Sequence, residues 1–177
     1  MRKLNLGCGG NLLTGWENHD MDLDITKPLP YDDNSIDFIF IEHCVEHTAT
    51  PDAVRFFMEA YRILKPNGVI RIAVPSVVQM MRYIDSQYLD WFGMSGFGQP
   101  NKRSAIQSIL LNHGHLSAWS HEILESCLYA AGFEYDNIEP ELVGESTRQE
   151  LREIEGHGKV IGKHNNEIET IVMEAVK

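Results

Sequence analysis

Two carboxylates and four imidazoles are spaced for proton-transfer chemistry: Glu42, His43, Glu46 and His47 fall within six residues, and His113 and His115 follow well downstream. Histidine changes charge closest to neutral pH, so any of the four could take a proton from a hydroxyl or a protonated amine. Imidazole and carboxylate are also ordinary ligands for zinc or iron, and His113-x-His115 with His43 or His47 and Glu42 or Glu46 would supply them. That spacing alone does not specify a metal, so an acid–base or packing role is preferred and no metal is expected. For any single histidine the plain alternative is a hydrogen-bonded structural or surface residue.

A second group of residues suits a ligand approached along the backbone. Leu4-Asn5-Leu6 alternates like a strand and runs into Gly7-Cys8-Gly9-Gly10-Asn11, where glycine permits positive φ and close approach. Trp16-Glu17-Asn18-His19-Asp20 then reads as a short strand ending on a carboxylate, the place where an acid accepts hydrogen bonds from ribose hydroxyls. The ligand this implies is a nucleoside. Asp20 and Asp22 share a face by strand alternation, and Asp20, at the strand end, is the expected ribose acceptor. A nicotinamide dinucleotide is disfavoured, because Leu12 stands where G-x-G-x-x-G needs its third glycine.

The elements that must hold these residues can be read in order. Only Gly7 to Gly15 separate the first strand from the second, so the first helix is a single turn or absent. Ser35 to Ile41 is a nearly continuous apolar run, hence a central strand buried on both faces, with Glu42, His43, Glu46 and His47 at its carboxyl edge. Thr50-Pro51-Asp52 starts a helix with Thr50 as N-cap, and Lys65-Pro66-Asn67-Gly68 stops it before a strand over Val69 to Val74. Beyond Pro75-Ser76 the expectations are a helix from Val77 to Tyr88, a flexible loop from Gly93 to Pro100, and a helix from Ser104 to Leu111. A helix from His121 to Ala131 closed by Gly132 follows, then strands over Glu134 to Leu142 and Glu167 to Val176. The polar stretch 144–166 between those strands reads as a mobile loop with one helical turn near Arg148 to Ile154.

The motifs LNLGCGGN at 4–11, HDMD at 19–22, LDITKPLPYDDNSIDFIF at 23–40, Glu46-His47 and RILKPNGVIRIAVPS at 62–76 together resemble the class I S-adenosylmethionine-dependent methyltransferases. The resemblance implies a Rossmann-like α/β sheet, mostly parallel, with an antiparallel C-terminal hairpin and an insertion after the fourth main strand. It divides a single domain, 1–177, into a cofactor-binding half (1–76), a substrate cover (77–116) and a sheet-closing part (117–177). It also implies S-adenosyl-L-methionine as cofactor, held by Leu6, Gly7, Cys8, Gly9, Asp20, Met21, Asp24, Ile25 and Glu42, with Asp24 near the adenine amino group. His43, which follows the central strand, and His113, which begins a segment the family folds over the site, are the expected catalytic bases. Asn5 and Asn11 depart from the family, which often has an acid and a third glycine there.

Composition narrows the acceptor. A formal net charge of -11 argues against nucleic acid and anionic membranes, which are held by Lys and Arg. No stretch approaches the roughly 20 apolar residues of a membrane span, and Met1-Arg2-Lys3 leads directly into a strand, so a cytoplasmic location is expected. Cys8, Cys44 and Cys127 show no C-x-x-C spacing and predict neither disulfides nor a cysteine zinc site. The function expected is methyl transfer to a hydroxyl or amine of a small molecule, a sugar or other metabolite. Two alternatives are a domain that holds the cofactor without turnover and a metal-dependent hydrolase. Trp91, Phe92 and Phe97 suit either a lid or a contact between two copies of the chain. DNA-adenine methylation is disfavoured, because Ile41-Glu42-His43-Cys44 replaces the D/N-P-P-Y/F signature.

Overall fold

The computed structural model describes residues 1–177. Strands β1 (Lys3–Leu6), β2 (Glu17–His19), β3 (Ile36–Glu42), β4 (Leu64–Pro75), β5 (Ile138–Glu141) and β6 (Thr170–Val176) form one sheet. Helices α1 (Thr50–Ile63), α2 (Val77–Tyr83), α3 (Ser86–Met94), α4 (Lys102–Leu111), α5 (His121–Ala131), α6 (His157–Ile161) and α7 (Lys163–Glu169) accompany it. The strand order is β2-β1-β3-β4-β6-β5, with β1 to β4 parallel and β6 antiparallel to both β4 and β5. No helix is long and apolar enough to cross a membrane.

Strand alternation sends Leu4, Leu6, Ile39, Ile41, Ile70 and Ile72 to one face, where they form the main core with α1 and α5. Ala53, Phe56, Phe57, Ala60 and Ile63 recur at helical spacing and are all buried, which explains why α1 packs there. The helix begins one residue earlier than the sequence suggests. Ala49 is the N-cap and Thr50 is already helical, because Pro51 fits the first turn where no N–H is needed.

The opposite face has no helix from the first two crossovers. The first crossover helix is absent, and the loop's polar backbone is satisfied by side chains instead: Asn5 Nδ2 donates to the Asn11 carbonyl (2.7 Å), and Asn18 bonds Leu13 N–H, Leu13 C=O and Trp16 C=O. What covers this face is the C-terminal excursion. Leu151 and Ile154 pack on Phe40 and Val69 with Leu13 and Trp16 around them. Arg71, fully buried, donates through Nε to Glu155 (2.7 Å), through Nη1 to Glu174 (2.6 Å) and through Nη2 to the Leu142 carbonyl (3.1 Å).

Several sequence expectations are corrected here. The stretch 144–166 is a packed cover, not a mobile loop, with a 3-10 turn at Gln149–Leu151 followed by α6 and the start of α7. The helix expected over Val77 to Tyr88 is broken at Ile84-Asp85, because the Asp85 carboxylate caps the Tyr88 N–H and starts a new helix that runs to Met94, into the expected loop. The strand expected from Glu167 begins at Thr170, since α7 occupies the residues before it. The one expected from Glu134 opens with a 3-10 turn and is a strand only from Ile138.

Candidate functional site

Two cavities meet at the carboxyl ends of β1 and β3. The first, of about 390 Å³, lies between the glycine turn (Gly7, Cys8, Asn11) and residues Gly156, His157 and Val160, with Glu42 and His43 at its base. Gly7 (φ 61°) must be glycine twice over, since a Cβ there would also lie 2.5 Å from Cys44 Sγ. Gly9 (φ 47°) faces open space, so a ligand can reach the backbone. The Cys8 N–H donates to the His19 carbonyl (3.0 Å), which ties the turn to the end of β2 and brings Asp20 beside it. Across the cavity, Glu42 accepts the Gly156 N–H (2.7 Å) and the His157 N–H (3.1 Å), and Asn11 Nδ2 donates to the Ile154 carbonyl (2.8 Å).

The second cavity, about 280 Å³, is walled by Tyr88, Trp91, Phe92, Phe97 and Ile109 and floored by histidines and carboxylates. His43, His157 and Val160 border both. His43 sits at φ 46°, and its ring stacks on His157 at 3.8 Å. The Thr170 hydroxyl gives its proton to Asn166 Oδ1 and so accepts one from His43 Nε2 (2.9 Å), which leaves Nδ1 facing Glu46 Oε1 at 3.5 Å. Burial opposes charge on this imidazole, but the contact with Glu46, then the charges of Glu42 and Glu169, overcome it and hold the ring above its ordinary 6.5.

The segment carrying His113 and His115 is fixed by the Leu116 and Ser117 N–H groups, both donating to the Glu46 carbonyl (2.8 and 3.1 Å). His115 Nδ1 donates to the Ile109 carbonyl at 2.6 Å, and burial lowers its affinity for a second proton. His113 is exposed at the chamber rim at φ 65°, with Nε2 3.4 Å from Ser108 Oγ.

Residues 17–72 match the family model for a methyltransferase domain. An S-adenosylmethionine-dependent methyltransferase from Archaeoglobus fulgidus superposes with a TM-score of 0.56 at 17% identity, over 99% of this chain and 86% of that one. Less than a third of the chain carries that methyltransferase-domain match, and the fold over its full length is that of this solved methyltransferase. A phosphoethanolamine N-methyltransferase from Haemonchus contortus, solved with phosphomonomethylethanolamine and S-adenosylhomocysteine, superposes at 0.52 and 14% identity over the whole of this chain and 49% of its own. A Bordetella parapertussis protein superposes at 0.53 and 11% identity, over 92% of this chain and 44% of its own. No curated protein sequence matches.

The residues nominated from sequence for the cofactor are distributed unevenly. Gly7, Cys8 and Glu42 line the first cavity; Gly9 and Leu6 do not, the first facing open space and the second buried in the main core. Asp20 and Met21 are exposed past the end of β2, Asp24 accepts Thr26 N–H (2.9 Å), and the Ile25 side chain packs in the main core. Asp22 is fully engaged: one oxygen accepts the Asp20 N–H (2.8 Å) and the other pairs with His19 Nδ1 (2.7 Å). The Asp20 carboxylate carries no such commitment, although its charge, after burial, helps push the Cys8 thiol up. Of the two nominated bases, His43 lies between the cavities and His113 at the rim of the second. Sequence reasoning missed Asn5 and Asn18 as the scaffold of the turn, and Gly156 and His157 as the far wall. Gly156-His157-Gly158 was the available signal, for a Cβ at Gly156 would lie 2.5 Å from Asn11.

Proposed function

We propose that the chain transfers a methyl group from S-adenosylmethionine to a hydroxyl or amine of a small molecule. The observation that carries this reading is the meeting of a glycine-turn groove with an aromatic chamber at His43, His157 and Val160. The groove has polar walls, and beside it stand an open-faced turn at Gly9 and, past the end of β2, the uncommitted Asp20 carboxylate for ribose hydroxyls. S-adenosylmethionine, when bound, supplies an electrophilic methyl group on a sulfonium. The chain's own work is to position the acceptor and exclude water from an in-line displacement.

Trp91 and Phe92 turn inward and wall the chamber, which favours the lid role over a contact between copies. An oxygen acceptor, or a protonated nitrogen, must lose a proton. His113 is placed to take it, being at the chamber rim and paired with no carboxylate. His43, held toward its charged form, orients the acceptor and complements charge at the junction. A screen of hydroxyl and amine acceptors with labelled methyl donor tests this, followed by His113→Gln, expected to lower kcat by ~10²- to 10⁴-fold with cofactor affinity unchanged. Undiminished turnover in both His113→Gln and His43→Gln would show that no protein base is used. The second reading, binding without turnover, draws on the commitment of Glu42 to the Gly156 and His157 N–H groups. It predicts cofactor binding with no transfer to any acceptor.

A further inference from the structure

We infer that Glu46, His47 and His115 form a binding site for a divalent ion of the zinc class, set in the wall of the aromatic chamber. One ligand atom from each lies within 4.8 Å of the other two. The argument rests first on Glu46. Its side chain is 1% exposed, and neither carboxylate oxygen receives a hydrogen bond. His43 Nδ1 stands 3.5 Å from Oε1 without a hydrogen bond and Oε2 has no partner, so the desolvation of this carboxylate is offset on one side only and a further cation is called for.

The second observation is the state of His115. Its Nδ1 donates to the Ile109 carbonyl, so Nε2 is the bare nitrogen, and it faces Glu46 Oε1 at 3.9 Å. Two lone pairs directed at one another repel unless a cation sits between them. A backbone carbonyl that fixes the tautomer is also the usual support of a metal-binding histidine. Tetrahedral zinc with bonds of about 2.0–2.1 Å places its ligand atoms roughly 3.3 Å apart, so a movement of well under 1 Å would close this pair on an ion. His47 is exposed, its ring 4.9 Å from that of His115 and roughly perpendicular to it (76°), and is free to swing in as third ligand. Two imidazoles and one carboxylate suit zinc or ferrous iron rather than magnesium, and three protein ligands leave a coordination position open. All three residues line the chamber, so that position faces the acceptor.

Where the methyl-transfer reading also holds, an ion here would bind an acceptor oxygen and lower its pKa, selecting a hydroxyl over an amine. Metal uptake itself needs neither donor nor acceptor, so the two readings fail separately. The test is calorimetric titration of zinc into chelator-treated protein, with cobalt absorption as the reporter of ligand geometry. Wild type is expected to bind one zinc ion per chain. His47→Ala, a surface change that leaves the fold intact, and Glu46→Gln are each expected to weaken it by at least ~10-fold. No stoichiometric zinc in wild type, or wild-type affinity in His47→Ala, would overturn the proposal.

Discussion

His43 and His113 both occupy left-handed backbone conformations, which are uncommon for a residue with a side chain and cost of order 1–3 kcal/mol where they are held in place by their surroundings. Each follows a regular element, β3 or α4, and turns the chain sharply so that an imidazole faces a cavity. Nothing in the sequence marks φ, so the histidines could be nominated by position but not by this strain. The cysteines supply a prediction at the same scale. Burial pushes the Cys44 thiol up to about 12, whereas Cys8 is raised less and opens into the groove. Thiolate is the reactive form, so iodoacetamide at pH 8 is expected to label Cys8 well before Cys44, with S-adenosylhomocysteine protecting Cys8. Peptide mass spectrometry reads both. Equal labelling of the two, or no protection, would place the ligand elsewhere.

At the scale of elements, the consequential feature is the replacement of early crossover helices by residues 142–169. A sheet left bare on one face must be covered, and this chain covers it with few apolar groups, chiefly Leu151 and Ile154, and one buried ionic cluster around Arg71. Removing the guanidinium would leave Glu155 and Glu174 buried without their shared partner. Arg71→Met is therefore expected to destabilise the fold by about 3–5 kcal/mol, measured by denaturant unfolding, and to loosen the wall that Gly156 and His157 give the groove. A loss below about 1 kcal/mol would mean that the cover is held by packing alone. This arrangement explains what the sequence concealed. β1, β3 and β4, with α1 and α5, were legible because apolar periodicity and glycine stops coincide there. The cover was not, because its contacts are polar and long-range: Asn11 to Ile154, Glu42 to Gly156, Arg71 to Glu155. None of these leaves a local pattern.

Across the whole molecule, the glycine turn, the acid after β2 and the histidine after β3 all converge on one sheet edge, as strand-end geometry in open α/β folds requires. The sequence therefore nominated the sheet edge at which the two cavities meet. It did not disclose the far wall, which is contributed from more than a hundred residues away, nor the pairing of Glu46 with His115, which depends on the fold of 112–117 over β3. The central claim is that the groove at the glycine turn holds the methyl donor, with the exposed Asp20 carboxylate past the end of β2 taking its ribose. Isothermal titration of S-adenosylhomocysteine into the wild-type chain and Asp20→Ala tests it most directly. The account predicts one site per chain in wild type, weakened by roughly 10- to 100-fold in the variant, as the loss of charge-assisted ribose hydrogen bonds implies. No binding to the wild type, or the same affinity in both, would contradict it.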